Sequence, residues 1–350
     1  MEDKRITVAL DAMGGDYAPI AVIEGAHQAL MNYKNKASKV VIEYQIFGDK
    51  GIIEPIVERF PELKAISTLI HSEHKVESDD RPSYALRNSK NTSMGMAINA
   101  VKQKDAHAVV SSGNTGALMA IAKVALRTLP GISRPAIIGL FPAIDRKIVA
   151  LDLGANAECE AENLVQFAIM GDAFAKVILG KPKPSIGLLN IGSEDIKGNE
   201  MVKAAAQILH SQECLNFTGY VEADDIARGV VDVVVTDGFS GNIAIKMAEG
   251  TAFLCRQLME RAFKSSIIAK IGYLFAKKSL KETFKMIDGR YYNGAMLVGL
   301  NGVVVKSHGG ADKIAFANAV EVAIELSRHN INQKIIQEIN IVQQHLQVIQ

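Results

Sequence analysis

Seven short runs constrain this chain more than anything else in it. "ITVAL" (6–10), "VVIEYQIFG" (40–48), "HAVVS" (107–111), "AIIGLF" (136–141), "KIVALD" (147–152), "SIGLLNI" (185–191) and "DVVVTD" (232–237) are β-branched and mostly unbroken by polar residues. A half-exposed strand alternates apolar and polar positions, whereas a strand buried on both faces reads as a continuous apolar run. Between the runs lie helical patterns such as 18–33, 161–179 and 199–212. The alternation predicts an α/β/α sandwich on a mostly parallel, doubly wound sheet. No internal repeat, low-complexity tract or Pro/Gly/Ser linker divides the chain. The expectation is one α/β/α catalytic domain over 1–330 and a C-terminal helical tail over 331–350. Residues 249–288 break the rhythm. They are helical in composition, have no strand and read as a protruding helical hairpin.

The 350 residues are 48% hydrophobic with a net charge of +1, enough for a large core and no argument for nucleic acid as a partner. Cys159, Cys214 and Cys255 show neither CxxC nor metal-ligand spacing, which fits a reducing cytoplasm. "MEDKRITVALD" lacks the pattern of a signal peptide, and no apolar run approaches the ~20 residues of a membrane span.

In open parallel sheets, ligands bind beyond the carboxyl ends of the strands. Here those loops look alike. They are "DAMGGD" (Asp11, Gly14, Gly15, Asp16), "SGNTG" (Ser112, Gly113, Asn114, Thr115, Gly116) and "DLGAN" (Asp152, Gly154, Asn156). They continue with "GSEDIKGNE" (Gly192, Ser193, Lys197), "TDGFSGN" (Asp237, Gly238, Asn242) and "KSHGGAD" (Lys306, His308). One such loop is an ordinary turn. Six at equivalent positions point to a small anion, phosphate above all, since glycine admits a ligand to the backbone and helix N-termini attract negative charge. Lys197, Lys306 and His308 are available as cations or donors.

Other chemistries find less support. There is no GxxxxGK[ST] loop, no GxGxxG after the first strand and no GxSxG elbow. His71 and His74 are three apart without a third metal ligand and read as surface residues. No metal site and no cofactor is expected. Cys159 follows "DLGAN", yet nothing nearby in sequence lowers its pKa, so it reads as an incidental thiol.

Taken together, "LDAMGGDYAP", "SSGNTGALMA", "LLNIGSEDIKGNE", "VVVTDGFSGNIAIKMAEG" and "KSHGGAD" resemble the bacterial phosphate acyltransferases, the acyl-ACP:phosphate transacylases of phospholipid synthesis. "SRPAIIGLFP" (133–142), "LVQFAIMG" (164–171) and "YNGAMLVGL" (292–300) extend the likeness over about residues 5–328, in the family's order. The resemblance implies a Rossmann-like fold akin to isopropylmalate dehydrogenases and phosphotransacetylases. It implies a homodimer in the cytoplasm, attached peripherally to the inner face of the cell membrane. It also implies transfer of a long-chain acyl group from acyl carrier protein (ACP) to inorganic phosphate. The acyl-phosphate would feed a glycerol-3-phosphate acyltransferase, a further possible partner. A short-chain acyl-CoA phosphotransacylase and a non-catalytic scaffold stand as alternatives.

That reaction suits the residues. The phosphate dianion is already substantially present near neutral pH, since its second pKa of roughly 7 is comparable to the value of about 6 for a phosphomonoester. A thiol leaves readily, with a pKa of about 8.5 by analogy with cysteine. Placement and oxyanion stabilisation remain the protein's tasks. On this reading Ser112, Gly113, Asn114, Thr115 and Gly116 cradle phosphate, with Asp11, Gly14, Gly15, Gly192, Ser193, Asp237 and Gly238 around the substrate. Lys197 neutralises charge, and Asn190, Asn242 or His308 donates to the oxyanion. Asp11 and Asp237 orient neighbours rather than act as bases.

In the hairpin, Leu254, Leu258, Ala262, Phe263, Ile267, Ile271 and Phe275 recur at helical spacing. Arg261 to Lys285 holds seven basic residues, among them Lys277 and Lys278, against Glu282. An apolar face with basic flanks suits anionic lipid. It suits acidic ACP or a dimer partner as well, and Gly272 marks a bend or the hairpin tip.

Overall fold

The structure, a computed structural model, describes residues 4–35, 40–286 and 288–348. The first three residues of the N-terminal reading and the last two of the C-terminal tail lie outside the described residues. The strands are β1 (Lys4–Asp11), β2 (Val40–Gly48), β3 (Ser67–His71), β4 (Ala108–Ser111), β5 (Ala136–Ala143) and β6 (Arg146–Leu151). They continue with β7 (Ser185–Leu189), β8 (Asn216–Val221), β9 (Val233–Val235), β10 (Ala295–Val298) and β11 (Val303–Lys306). The helices are α1 (Ile20–Asn35), α2 (Lys50–Val57), α3 (Pro61–Lys64), α4 (Pro82–Asn88), α5 (Ser93–Gln103), α6 (Thr115–Leu126) and α7 (Ala161–Ile178). They continue with α8 (Glu200–His210), α9 (Ala223–Arg228), α10 (Gly238–Lys264), α11 (Ile267–Met286), α12 (Lys313–Arg328) and α13 (Ile331–Val348).

Among the described residues, eleven strands form one sheet in the order β3-β2-β1-β4-β11-β10-β5-β6-β9-β7-β8. Pairing is parallel except where β10 meets β11 and β5, and where β5 meets β6. These antiparallel steps reverse the sheet, so β6, β9, β7 and β8 run against β1, β2, β3, β4 and β11. The six loops therefore do not share one edge of a parallel sheet. They form two groups that approach from opposite directions. Register brings the groups together. Lys306 at the end of β11 pairs with Ala295, and Leu151 at the end of β6 pairs with Ile138. Since Met296 also pairs with Ile138, Ala295 stands opposite Gly139, one residue along. Both sets of strand ends thus converge on the middle of β5.

The main core covers one face, where α1, α7, α8, α12 and α13 bury residues such as Val22, Phe167, Phe174, Val202, Phe316 and Ile335. Helices α5 and α6 cover the other face of the first half with Met94, Ile98, Leu118 and Ile121. Four strands lie outside the seven runs. Edge strands β3 and β8 are half-exposed and carry no continuous apolar run, and β10 and β11 are each only four residues long.

The hairpin is present, with two corrections. Its first leg is one 27-residue helix starting at Gly238, not at 249. Its tip falls between Lys264 and Ile267, and Gly272 lies inside α11. Asp237 caps α10 through Oδ1, which accepts from Ser240 N at 2.8 Å, so the helix is nucleated in the strand-end loop itself. Gly272 has open space around it and no bend to make. The Phe263 and Tyr273 rings, 5.3 Å apart, tie the two legs.

Candidate active site

Asp11 knots the first wall. Its carboxylate is buried and accepts from Ser93 Oγ at 2.6 Å and Ser111 Oγ at 2.7 Å. Met13 and Gly14 backbone N–H groups add to these. Burial pushes its pKa up, against the pull of those four donors. Ser112 Oγ donates to Gly14 O at 2.6 Å, and Asp16 N donates to Gly309 O at 2.9 Å. The loops after β1, β4 and β11 are thereby fastened together. Gly15 is required by this packing: its φ is +102°, and a Cβ there would lie 2.6 Å from Ser112 Oγ.

Asp152 knots the second wall. Oδ1 accepts from Ile137 N, Gly154 N and Ala155 N, and Oδ2 from Asn156 N and Nδ2, at 2.8 to 3.1 Å. Desolvation raises its pKa, and the donors oppose the rise. A Cβ on Gly241 would come within 1.9 Å of Asp152 O, so only glycine lets α10 start this close to the knot.

Between the walls lies a groove of about 3470 Å³, running from Thr115, Lys306 and His308 past Gly154, Asp237 and Asn242 to the hairpin. Its floor includes Gly139 and Ala295. One branch runs between Phe141, Leu189 and Ile226, and the overhang presents Ile243, Met247, Phe263, Ile267, Ile271 and Leu274. His308 Nδ1 accepts from Gly310 N at 3.1 Å, which in the neutral ring puts the proton on Nε2. His308 N donates to Asn293 Oδ1 at 2.9 Å, and Asn293 Nδ2 donates to Ser307 Oγ and Ala315 O. Lys306 Nζ donates to Ser307 O. Burial pushes the Lys306 ammonium down to about 8, with Asp11 and Asp16 pulling upward.

The expected site residues divide sharply. Thr115, Asn190, Asp237, Asn242 and His308 line the groove. Asp11 and Ser112 are buried in the knots, where hydrogen bonds occupy them. Gly14 and Gly238 pack with no room for a Cβ, the nearest heavy atoms lying 2.5 and 2.6 Å from where it would stand, and a Cβ on Gly113 would press on Met94 Cε at 2.6 Å. Asn114 caps α6, its Oδ1 accepting from Ala117 N at 3.0 Å while Nδ2 donates to Ser78 O and Asp80 O. Its side chain is fully used, which leaves only its backbone for the phosphate cradle expected of residues 112–116. The N–H groups of Thr115 and Gly116 find no acceptor among the described residues, as expected for a first helical turn, and both residues are exposed. Asn190 Nδ2 donates to Gly192 O and Lys197 O, folding the loop that follows β7. On that loop Gly192 is buried, while Ser193 and Lys197 are exposed and do not line the groove.

Sequence reading missed Asn293, the bracket of the His308 loop, although "YNGAMLVGL" contains it. Cys159 has its thiol pushed up to about 11, first by burial and then by Asp152, so it is a poor nucleophile. In the hairpin, Ile267, Ile271 and Lys277 line the groove, whereas Leu258, Phe275 and Lys278 do not. No residue of α11 is buried.

This architecture is shared with solved phosphotransacylases. A phosphotransacetylase from Streptococcus pyogenes matches with TM-score 0.60 and 18% identity over 93% of this chain and 94% of its own. A branched-chain phosphotransacylase from Enterococcus faecalis V583 matches with TM-score 0.56 and 14% identity over 92% and 99%. The fold is therefore the α/β/α fold of the phosphotransacylases. At the level of sequence, a family model described as "Fatty acid synthesis protein" matches residues 6–334. Phosphate acyltransferases of Paramagnetospirillum magneticum and Rhodospirillum centenum are 50% and 51% identical over 337 residues, covering 95% and 96% of this chain and 93% of theirs. The chain belongs to the phosphate acyltransferase family and is an acyltransferase. Among the described residues, no helix is long and apolar enough to cross a membrane.

Proposed function

We propose that this enzyme transfers a long-chain acyl group from acyl-ACP to inorganic phosphate, by direct attack of bound phosphate on the thioester. The observation that carries this reading is one groove that joins an open helix N-terminus at Thr115 to a long apolar overhang. A helix N-terminus favours an anion. The apolar branches suit a hydrocarbon chain, and about 3470 Å³ far exceeds the ~300–1,000 Å³ of small-ligand pockets. A short acyl-CoA substrate leaves that overhang without a role.

In this mechanism Thr115 N, Gly116 N and Thr115 Oγ receive phosphate, and His308 Nε2 and Asn242 donate to the carbonyl oxygen. Lys197 serves as a rim cation on the loop that Asn190 folds. A covalent acyl-enzyme is not needed, and the raised Cys159 thiol does not favour one. Phosphate-dependent thiol release from palmitoyl-ACP, compared with acetyl-CoA, tests the substrate class. A preference for acetyl-CoA of tenfold or more in kcat/KM would refute it.

The outward residues Ile268 and Phe275, 83% and 86% exposed, and the basic flanks suit peripheral contact with anionic membrane, and the same charge suits acidic ACP. A homodimer completes the proposal. Flotation with anionic vesicles, wild type against Phe275→Asp, tests the membrane contact: equal flotation of both removes it. Sedimentation equilibrium tests the dimer, and a single species of 37.8 kDa would sink it.

A further inference from the structure

Three side chains stand in a row where strands of the central sheet end. Asp11 closes β1, Ser111 closes β4 and Lys306 closes β11, and Lys306 is in register with Ser111. All three project from the face opposite the main core, because Val303 and Val305 point into that core and side chains alternate along a strand. Ser111 Oγ bonds to Asp11 Oδ2 at 2.7 Å. Beyond Lys306 the row continues into Ala295 and then Gly139, which are too small to fill the space above them. The polar part of the groove floor ends, and the small apolar part begins, at the Lys306 amine.

Nothing else in the row competes for that amine. Asp11 already accepts four hydrogen bonds, and Lys306 Nζ donates to its neighbour's carbonyl, Ser307 O. The titratable groups that act on it are Asp11 on β1 and Asp16 on the loop that follows β1. An ammonium at the junction of an anion site and an acyl channel lies where the new bond must form.

We propose that Lys306 is a catalytic residue whose ammonium holds the attacking phosphate and stabilises the charge of the tetrahedral intermediate. This rests on phosphate being the acyl acceptor. An oxygen of hydrogen phosphate forms the C–O bond, and the C–S bond breaks with its electron pair on sulfur. The proton that hydrogen phosphate carried ends on the departing thiolate. Lys306 stays protonated throughout and acts by charge alone, from a partly buried position where charge acts more strongly than in open water.

The test is steady-state, phosphate-dependent thiol release from palmitoyl-ACP by Lys306→Met and Lys306→Arg. Removing one such stabilising group typically costs about 10²–10³-fold. The Met variant should lose that much in kcat/KM for phosphate, with an unfolding midpoint close to wild type. The wild type should lose activity above about pH 8, where the amine deprotonates, and the Arg variant should keep activity without that alkaline fall. Wild-type phosphate kinetics in Lys306→Met would overturn the role. Should the Met variant not fold, an alkaline limb unchanged in Lys306→Arg overturns it as well. No phosphate-dependent thiol release by the wild type overturns the acyl-phosphate reading itself and this role with it; release by the wild type that both variants keep undiminished overturns Lys306 alone.

Discussion

Ile137 N donates to Asp152 Oδ1 at 2.9 Å, binding the central strand β5 to the loop that leaves β6. Five donors converge on this one carboxylate. Asp152→Ala would strand them in a buried site, where each unsatisfied donor costs roughly 1–3 kcal/mol. The expected result is a loss of at least ~3 kcal/mol in unfolding free energy by urea titration, or no folded protein. Asp152→Asn keeps one acceptor oxygen and should fall between.

Asn114 caps α6 and ties it to Ser78 and Asp80. Asn114→Ala should lower stability by about 1–2 kcal/mol, the usual range for a lost cap with its tethers. Its thermal midpoint should fall measurably. Asn114→Asp, which keeps the capping oxygen, should recover much of the loss, whereas a role in holding phosphate would make Asp the worse variant through charge repulsion.

Asp16 pulls the Lys306 ammonium upward toward its ordinary range. Asp16→Asn removes that support, so the alkaline limb of the rate profile should move below the wild-type value near 8. With Lys306 still charged at pH 6.5, removing a carboxylate that repels phosphate should lower the phosphate KM roughly fivefold, the effect of about 1 kcal/mol. An unchanged limb would mean that the two side chains do not interact.

Asp172 on α7 pairs with Lys176 at 2.7 Å, and Lys176 reaches Glu338 on α13 at 2.7 Å. Burial raises the Asp172 carboxyl from 3.8 to about 6. Between those values the folded chain holds a proton that the unfolded chain has released. Stability should therefore fall as pH rises from about 4 to 6, by on the order of 3 kcal/mol from this group. Asp172→Asn should flatten that decline in a pH series of urea midpoints; an identical slope in both proteins would contradict it.

The central strands were legible because burial on both faces leaves little room for polar residues, as "HAVVS" and "KIVALD" illustrate. Strands β3 and β8 were not, since an edge strand needs only part of one face apolar. The strand-end loops were legible as a set, but their internal division was not. Gly15 and Gly241 look like residues that admit a ligand, yet what presses against them is Ser112 Oγ and Asp152 O. A glycine demanded by a neighbouring loop and one demanded by a ligand leave the same letter. Likewise Lys197 lies in a glycine-rich loop after a strand and Lys306 ends a strand just before one, and only strand register places Lys306 in the groove. Sequence spacing also could not reveal the reversal at β10, which depends on pairing as distant in sequence as Met296 with Ile138.

Helix α10 runs unbroken from its cap at Asp237 to Lys264. At about 1.5 Å per residue its 27 residues form a rod of about 40 Å. Its second turn opens with Asn242 beside the Asp152 knot, and its last turn reaches the hairpin tip. The fulcrum is thus the tight seat of Gly241 against Asp152 O, and the long arm points outward. A tilt of a few degrees imposed at the tip would displace the far end by several ångströms while Asn242 barely translates and chiefly rotates. Whatever engages the tip therefore acts on the active site as torque, with little demand on the rest of the sheet.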